Sequence, residues 1–174
     1  GFEDSIVAKG AEIKEAEEKI SWTPDGIISG GEYTGTKTYG YEIHWNVDDQ
    51  FIYVGLKAGT NGWVALGFGS SMLNADMIIG FVKDEEITVS DQFSTGLFGP
   101  HSPDTDLGGS DDILEFGGKE EDGLTIIEFK RALETGDQYD RALAEGTIKI
   151  IWAYGLNDDI TRKHVVRGDG EISI

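Results

Sequence analysis

Two methionines and three histidines supply all the thioether and imidazole groups of this chain, because none of its 174 residues is cysteine. That absence removes disulfides, thiolate metal sites, iron–sulfur clusters, cysteine nucleophiles and thioether attachment of a haem. Met72 stands in GSSMLNA, a turn of glycine, serine and asparagine where a thioether either fills a gap at the core edge or meets a ligand. Met77 alternates with Ile79 and Phe81 in the next apolar run and reads as a core filler. His44 shares the polar side of YEIHWNV with Glu42 and Asn46, as a solvated histidine does. His101, flanked by prolines in FGPHSPDTD, reads as a surface loop residue. His164 lies in DDITRKHVVRGDG, a polar segment between two apolar runs, where a loop side chain on a rigid scaffold can reach a binding site.

Taken singly, Met72 reads as a gap filler and His164 as a surface residue. As a pair they acquire a chemistry. Methionine with histidine is the axial ligand set of electron-transfer haem irons, in which no coordination site stays open and the thioether raises the potential. Other chemistries find less support. Asp104, Asp106, Asp111 and Asp112 in PHSPDTDLGGSDD are spaced faintly like a calcium loop, but without the terminal glutamate of an EF-hand they read as a solvated acidic turn. There is no G-x-S-x-G nucleophile elbow and no GxxxxGK[ST] phosphate loop. Carboxylates are too numerous for any pair to stand out. Trp22, Tyr39 and Trp45 would suit a sugar-stacking platform, although aromatic residues in strands are usually core.

The elements that must position these residues are strands. Tyr41, Ile43, Trp45 and Val47 alternate with polar residues, then DDQ turns the chain into FIYVGLKA. GWVALGF, DMIIGFV, EITVSDQF, DDILEFG, LTIIEFKR, TIKIIWAYG and EISI follow, each bounded by turn residues, for about nine to ten strands in all. GDQYDRALAEG is a helical candidate too short to cross over a sheet. This pattern predicts one all-β domain, an antiparallel β-sandwich of the immunoglobulin-like kind, over residues 22–174. Residues 1–21 read as a polar lead-in, with a helix or edge strand over AEIKEAEEKI.

Fourteen basic against 33 acidic residues leave a net charge of −19, which repels nucleic acid and anionic membrane surfaces and favours a basic partner or a cation. No stretch approaches the ~20 apolar residues that span a bilayer. Any membrane attachment would therefore run through a segment outside this sequence.

The order GWVALGFG, then ADMIIGFV, ITVSDQFSTG, LGGSDDI, TIIEFKRALETGDQYD, IIWAYG and KHVVRG resembles the DOMON domain, the family that includes the cytochrome domain of cellobiose dehydrogenase. The resemblance covers residues 22–174. It implies an extracytoplasmic sandwich, secreted, periplasmic or at the cell surface, that binds haem b non-covalently or, in other members, a sugar or another small ligand. The positions expected to ligate iron hold Met72 and His164. Trp63, Phe68, Phe81, Trp152 and Tyr154 are candidates for the walls of a haem slot, and Arg162, Lys163 and Arg167 for its propionates. On this reading the chain is not itself an enzyme and passes single electrons to a redox partner protein or domain with a basic docking face. A carbohydrate-binding module is the alternative, and an acidic calcium-dependent adhesion or scaffolding domain built on Asp104 to Asp112 is the third possibility.

Overall fold

Eleven strands form two antiparallel sheets packed face to face in a computed structural model that describes residues 19–174. The lead-in helix or edge strand expected before Ile20 lies almost wholly outside the described residues. The five-stranded sheet runs β1 (Gly35–Thr38), β2 (Glu42–Val47), β3 (Phe51–Ala58), β9 (Leu124–Ala132), β8 (Glu115–Glu121). The six-stranded sheet runs β11 (Val166–Ser173), β10 (Thr147–Tyr154), β4 (Val64–Phe68), β5 (Asp76–Lys83), β6 (Glu86–Ser94), β7 (His101–Pro103).

The period of two that identifies the strands also builds the core. Ile43 and Trp45 face inward from β2, opposite Leu56 and Val54 of β3. Val64, Leu66 and Phe68 of β4 meet them from the other sheet, with Ile78, Ile150 and Trp152 beside them. Leu66, Phe68, Ile127 and Phe129 are wholly buried, each contributing roughly 1.5–3 kcal/mol of hydrophobic stabilisation. The sheets approach closely at Gly80, where a Cβ would come within 2.7 Å of the Ile127 side chain. Side-chain bonds cross between the sheets: the Tyr41 hydroxyl donates to the Ala65 carbonyl at 2.6 Å, the Trp45 indole to the Ser173 carbonyl at 2.9 Å, and the Arg131 guanidinium to Asp76 at 2.6 Å.

Several boundaries differ from the sequence reading. β1 and β7 are additional short strands, and β11 begins at Val166 rather than at the terminal EISI. β8 starts at Glu115, because Asp111 and Asp112 are held in turns rather than in the ladder. GDQYDRALAEG forms no helix. Its carboxylates are used locally: Asp140 accepts from Thr135 at 2.6 Å, and Asp137 from the Ser110 and Tyr139 amides. Such side-chain bonds to the neighbouring backbone compete with helix formation.

The segment before β1 is tied to the outer face of the five-stranded sheet through one buried carboxylate. Glu128 accepts from the Tyr33 hydroxyl at 2.6 Å and from the Gly26 amide at 2.7 Å, while the Trp22 indole donates to Tyr33 at 2.8 Å. Burial pushes the Glu128 carboxyl up to about 7 from an ordinary value of 4.5. The folded state thus holds this proton to a higher pH than the unfolded chain. Its stabilising contribution is complete below pH 4.5 and is lost as pH rises through about 7. Burial shifts Asp91 and Asp104 in the same sense. We expect Glu128→Gln to flatten the fall in stability across this window by on the order of 2–3 kcal/mol, read as the difference between wild-type and variant denaturation midpoints from pH 4.5 to 8. Parallel curves would show that Glu128 does not carry the proton.

Candidate functional site

The six-stranded sheet has a second apolar face, turned away from the sandwich core. Strand pairing places Ala65 and Gly67 of β4 beside Ile79 and Met77 of β5 and beside Ala153 and Ile151 of β10. Trp63, Ala65, Ala75, Met77 and Ile79 form a buried cluster there, against which Met72, Phe81, Ile151, Ala153 and Ile160 pack. Between the larger side chains of its neighbours, the central strand offers only alanine and glycine, and the middle of this face is correspondingly low.

Two loops cover it. The first, residues 69–75, carries Met72 into the cluster. It is closed by the Ala75 amide on the Met72 carbonyl at 3.3 Å and anchored by Gly69, whose amide bonds Lys149 at 2.9 Å. Gly69 has a φ of 146°, a conformation that a residue with a Cβ rarely adopts. The second, residues 156–165, is pinned at its start by the Trp63 amide on Asn157 and at its end by the Val165 amide on Tyr154. Its middle is a turn in which Asp159 accepts from the Thr161 amide and hydroxyl and pairs with Arg162 at 3.4 Å. Ile160 drops from this turn onto the cluster, and a depression of about 570 Å³ opens beside it between Phe81, Lys83 and residues 157–159 and 162.

The expected site residues divide between the two faces. Met72, Trp63 and Phe81 lie together in the outer cluster. Phe68, Trp152 and Tyr154 do not join them, because each belongs to the core between the sheets: Phe68 and Trp152 are buried there, and Tyr154 packs edge-on against Tyr41. Met77 is a filler as expected, but of the outer cluster rather than of the inter-sheet core. His164 sits half-buried at the end of the second loop, and Arg167 lies directly opposite Ala153 on β11, facing the outer side. Arg162 is held by Asp159, and Lys163 is exposed.

The electrostatics of His164 suit a metal ligand. Burial lowers its pKa, and the nearby Arg167 and Lys163 cations lower it further. The ring is therefore neutral near pH 7, the state in which an imidazole can give a lone pair to a metal. The Trp63 indole N–H is buried without a partner, although polar groups in such places are normally satisfied. It is held there by Gly155, where a Cβ would come within 2.3 Å of the indole.

His101 proves less peripheral than its loop suggested. It folds back along β6 opposite Ser94, hydrogen-bonds Gln92 on the outer face and engages the Ile160 backbone. The available signal was the Phe98-Gly99-Pro100 turn just before it, which reverses the chain onto the preceding strand. His44 is on the polar face of the other sheet as expected, where it bonds Glu42 at 3.0 Å and Thr36 at 3.1 Å. Asp104 contradicts its reading as a solvated turn residue, being wholly buried.

The sequence model of the DOMON domain matches residues 37–155. The mouse (Mus musculus) protein named DBH-like monooxygenase protein 1 is 32% identical over 123 residues, a stretch covering 68% of this chain and 19% of that protein. MOXD1 homolog 1 of Drosophila melanogaster is 32% identical over 126 residues, covering 69% and 18%. The match thus spans about a fifth of the length of these relatives. Among solved structures, the cytochrome domain of Myriococcum thermophilum cellobiose dehydrogenase superposes with a TM-score of 0.59 at 14% identity, covering 77% of this chain and 74% of that one. The cytochrome b domain of pyranose dehydrogenase from Coprinopsis cinerea gives 0.58 at 16%, covering 76% of each. At these identities the superpositions establish a shared fold.

If the outer cluster is a true second core, Met77→Ala will cost about 2–4 kcal/mol in chemical denaturation, as in a buried site. A cost below about 0.5 kcal/mol would mark Met77 as a surface residue and the cluster as open.

Proposed function

The chain belongs to the DOMON domain family, and on that premise we propose that it holds haem b non-covalently over the outer face of the six-stranded sheet, where Met72 and His164 would be the residues to hold its iron. The observation that carries this reading is the second apolar cluster, which lies outside the sandwich core, takes in Met72 and lies under the loop that leads to His164.

The residues fit the group. Met72 brings a thioether to the cluster edge, and His164 brings an imidazole kept neutral by burial and by neighbouring cations. Trp63 and Phe81 contribute aromatic walls. The unpaired Trp63 N–H is a donor for a polar edge, and Arg167, on the same face, places a positive charge for a carboxylate. Ile160 lies over the cluster, so uptake requires residues 156–165 to lift. Bound there, haem b supplies a one-electron couple whose potential a thioether ligand raises.

On this reading the domain carries electrons and performs no catalysis of its own, exchanging them with a partner protein or domain. The net charge of −19 favours a partner with a basic face, and the family resemblance implies an extracytoplasmic setting. The carbohydrate alternative has less support. It calls for exposed Trp or Tyr faces, whereas Trp45, Trp63 and Trp152 are buried, Trp22 packs edge-on against Tyr53 and Tyr39 stacks on Trp152.

Haemin titration of the purified protein tests the proposal. We expect a sharp Soret band saturating near one haem per chain, with resolved α and β bands on reduction. Met72→Ala and His164→Ala should each shift the spectrum and weaken retention. A broad, non-saturating spectrum in the wild type, or one unchanged in both variants, would overturn the assignment.

A further inference from the structure

Glu128 of β9 stands between two glycines, with Gly55 of β3 opposite it on one side and Gly117 of β8 on the other. The missing side chains leave a trough across the outer face of the five-stranded sheet, and residues 22–34 lie in it as a strap. A Cβ at Gly117 would run into the Pro24 carbonyl, and one at Gly55 would come within 2.6 Å of Ile28 and 2.8 Å of the Tyr33 hydroxyl. At the far end of the strap, the Trp22 ring meets Tyr53 of β3 edge-on at 5.3 Å.

Much of the strap's polar bonding is internal, with Glu32 accepting from the Thr23 and Ser29 amides and the Trp22 indole donating to Tyr33. Its hinge is residues 32–34, where Thr34 bonds Trp45 and Asn46 through its amide and hydroxyl, and Asn46 donates to the Glu32 carbonyl. The remaining hydrogen bonds from strap to sheet, among the described residues, come from the Gly26 amide and the Tyr33 hydroxyl. Both end on Glu128.

That anchor is 0% exposed, and the charges acting on it are the negative ones of Glu32 and Asp25 in the strap itself. The outward lysines of the neighbouring strands are engaged elsewhere: Lys57 with Glu42 at 4.0 Å, Lys119 with Glu121 at 2.6 Å and Lys130 with Glu115 at 3.7 Å. His44, opposite Gly55 on β2, packs against the Tyr33 ring at 5.7 Å and bonds Glu42. Tyr33 stays a neutral donor, because burial and the Glu128 carboxyl push its hydroxyl well above the ordinary value. Ionisation of Glu128 therefore places a buried charge near two like charges, with no cation bonded to it among the described residues.

We propose that residues 22–34 form a proton-dependent clasp, held on the sheet while the Glu128 carboxyl is neutral and loosened from it when that carboxyl ionises. Lifting the strap returns Glu128 to water and parts it from Glu32 and Asp25, so the anion favours the open form. The closed strap keeps the proton up to about pH 7, and the open one releases it near the ordinary value of 4.5. The ratio of open to closed thus rises with pH between those values and levels off above them. The clasp lies on the sheet opposite the one that carries Met72, and it does not depend on whether haem binds there.

Hydrogen exchange of the Gly26 amide in the whole chain at pH 5 and pH 8, corrected for the intrinsic exchange rate, tests this. We expect its protection to fall roughly fifty- to a hundredfold between the two, the linkage for one group that moves from about 7 to 4.5 on opening. At pH 8 it should exchange ahead of the β4 and β10 amides, as a local opening does. Acrylamide quenching of tryptophan emission gives a second readout, since Trp22 is half-buried whereas the other three tryptophans are buried. Quenching should rise from pH 5 to pH 8, and the rise should vanish in Trp22→Phe. Glu128→Gln, which keeps the hydrogen-bonding shape of the neutral acid, should abolish both responses, whereas His44→Gln should leave them in place. Equal Gly26 protection at the two pH values in the wild type would overturn the proposal, whatever the variants do. So would exchange of Gly26 in step with β4, a response that survives in Glu128→Gln, or one that is lost in His44→Gln.

Discussion

The pairing of Arg131 with Asp76 holds together the end of the sandwich on which the rest depends. Arg131 rises from β9 in one sheet and Asp76 opens β5 in the other, so their 2.6 Å contact spans the core. Taking both charges out of water is expensive, and the fold offsets this with additional bonds. The Arg131 guanidinium also donates to the Arg141 and Ala132 carbonyls and lies over the Phe68 ring, and Asp76 accepts the Arg141 amide. A lone carboxylate or a lone guanidinium at this depth would be strongly destabilising. The pair therefore keeps the two sheets and the segment between β9 and β10 in one arrangement.

That constraint reaches the outer face through a short covalent path. Asp76 follows the 69–75 loop directly, and Arg141, whose amide meets Asp76, also reaches back to the Asn74 carbonyl at 3.3 Å. The loop that presents Met72 is thus braced from beneath by the same polar end that binds the two sheets. The 156–165 loop is held differently, by backbone pairing at its two ends and by Ile160 on the cluster. Its central turn is stabilised within itself, by Asp159 with Thr161 and Arg162, and is touched from outside by His101 at the Ile160 backbone, which leaves it the more easily displaced of the two covers.

The six-stranded sheet explains why both apolar faces can exist in one small domain. A strand with one wet face alternates, whereas a strand buried on both faces is apolar throughout. β4 is buried at all five positions and β5 at six of eight, while β2 and β11 alternate. The second cluster is thus a property of the central strands and needs the loops only as a roof.

Much of this was legible in the residues. Alternation in YEIHWNV identified a half-buried strand, the turn residues marked most of its successors, and the absence of cysteine confined any haem to non-covalent binding. The unbroken runs GWVALGF and DMIIGFV even recorded that their strands are covered on both sides. What the chain could not specify was which aromatic residue faces which cover, because a period of two assigns side but not direction once both sides are apolar. Only pairing across the sheets separates Trp63 and Phe81, beside Met72, from Phe68, Trp152 and Tyr154 in the core. The acidic cluster was hidden for a related reason. Asp76, Asp91, Asp104 and Asp140 are scattered over 65 positions among 33 acidic residues, and each is unremarkable in its own segment. Their convergence around Arg131 is a product of strand order, which brings together groups that no local spacing connects.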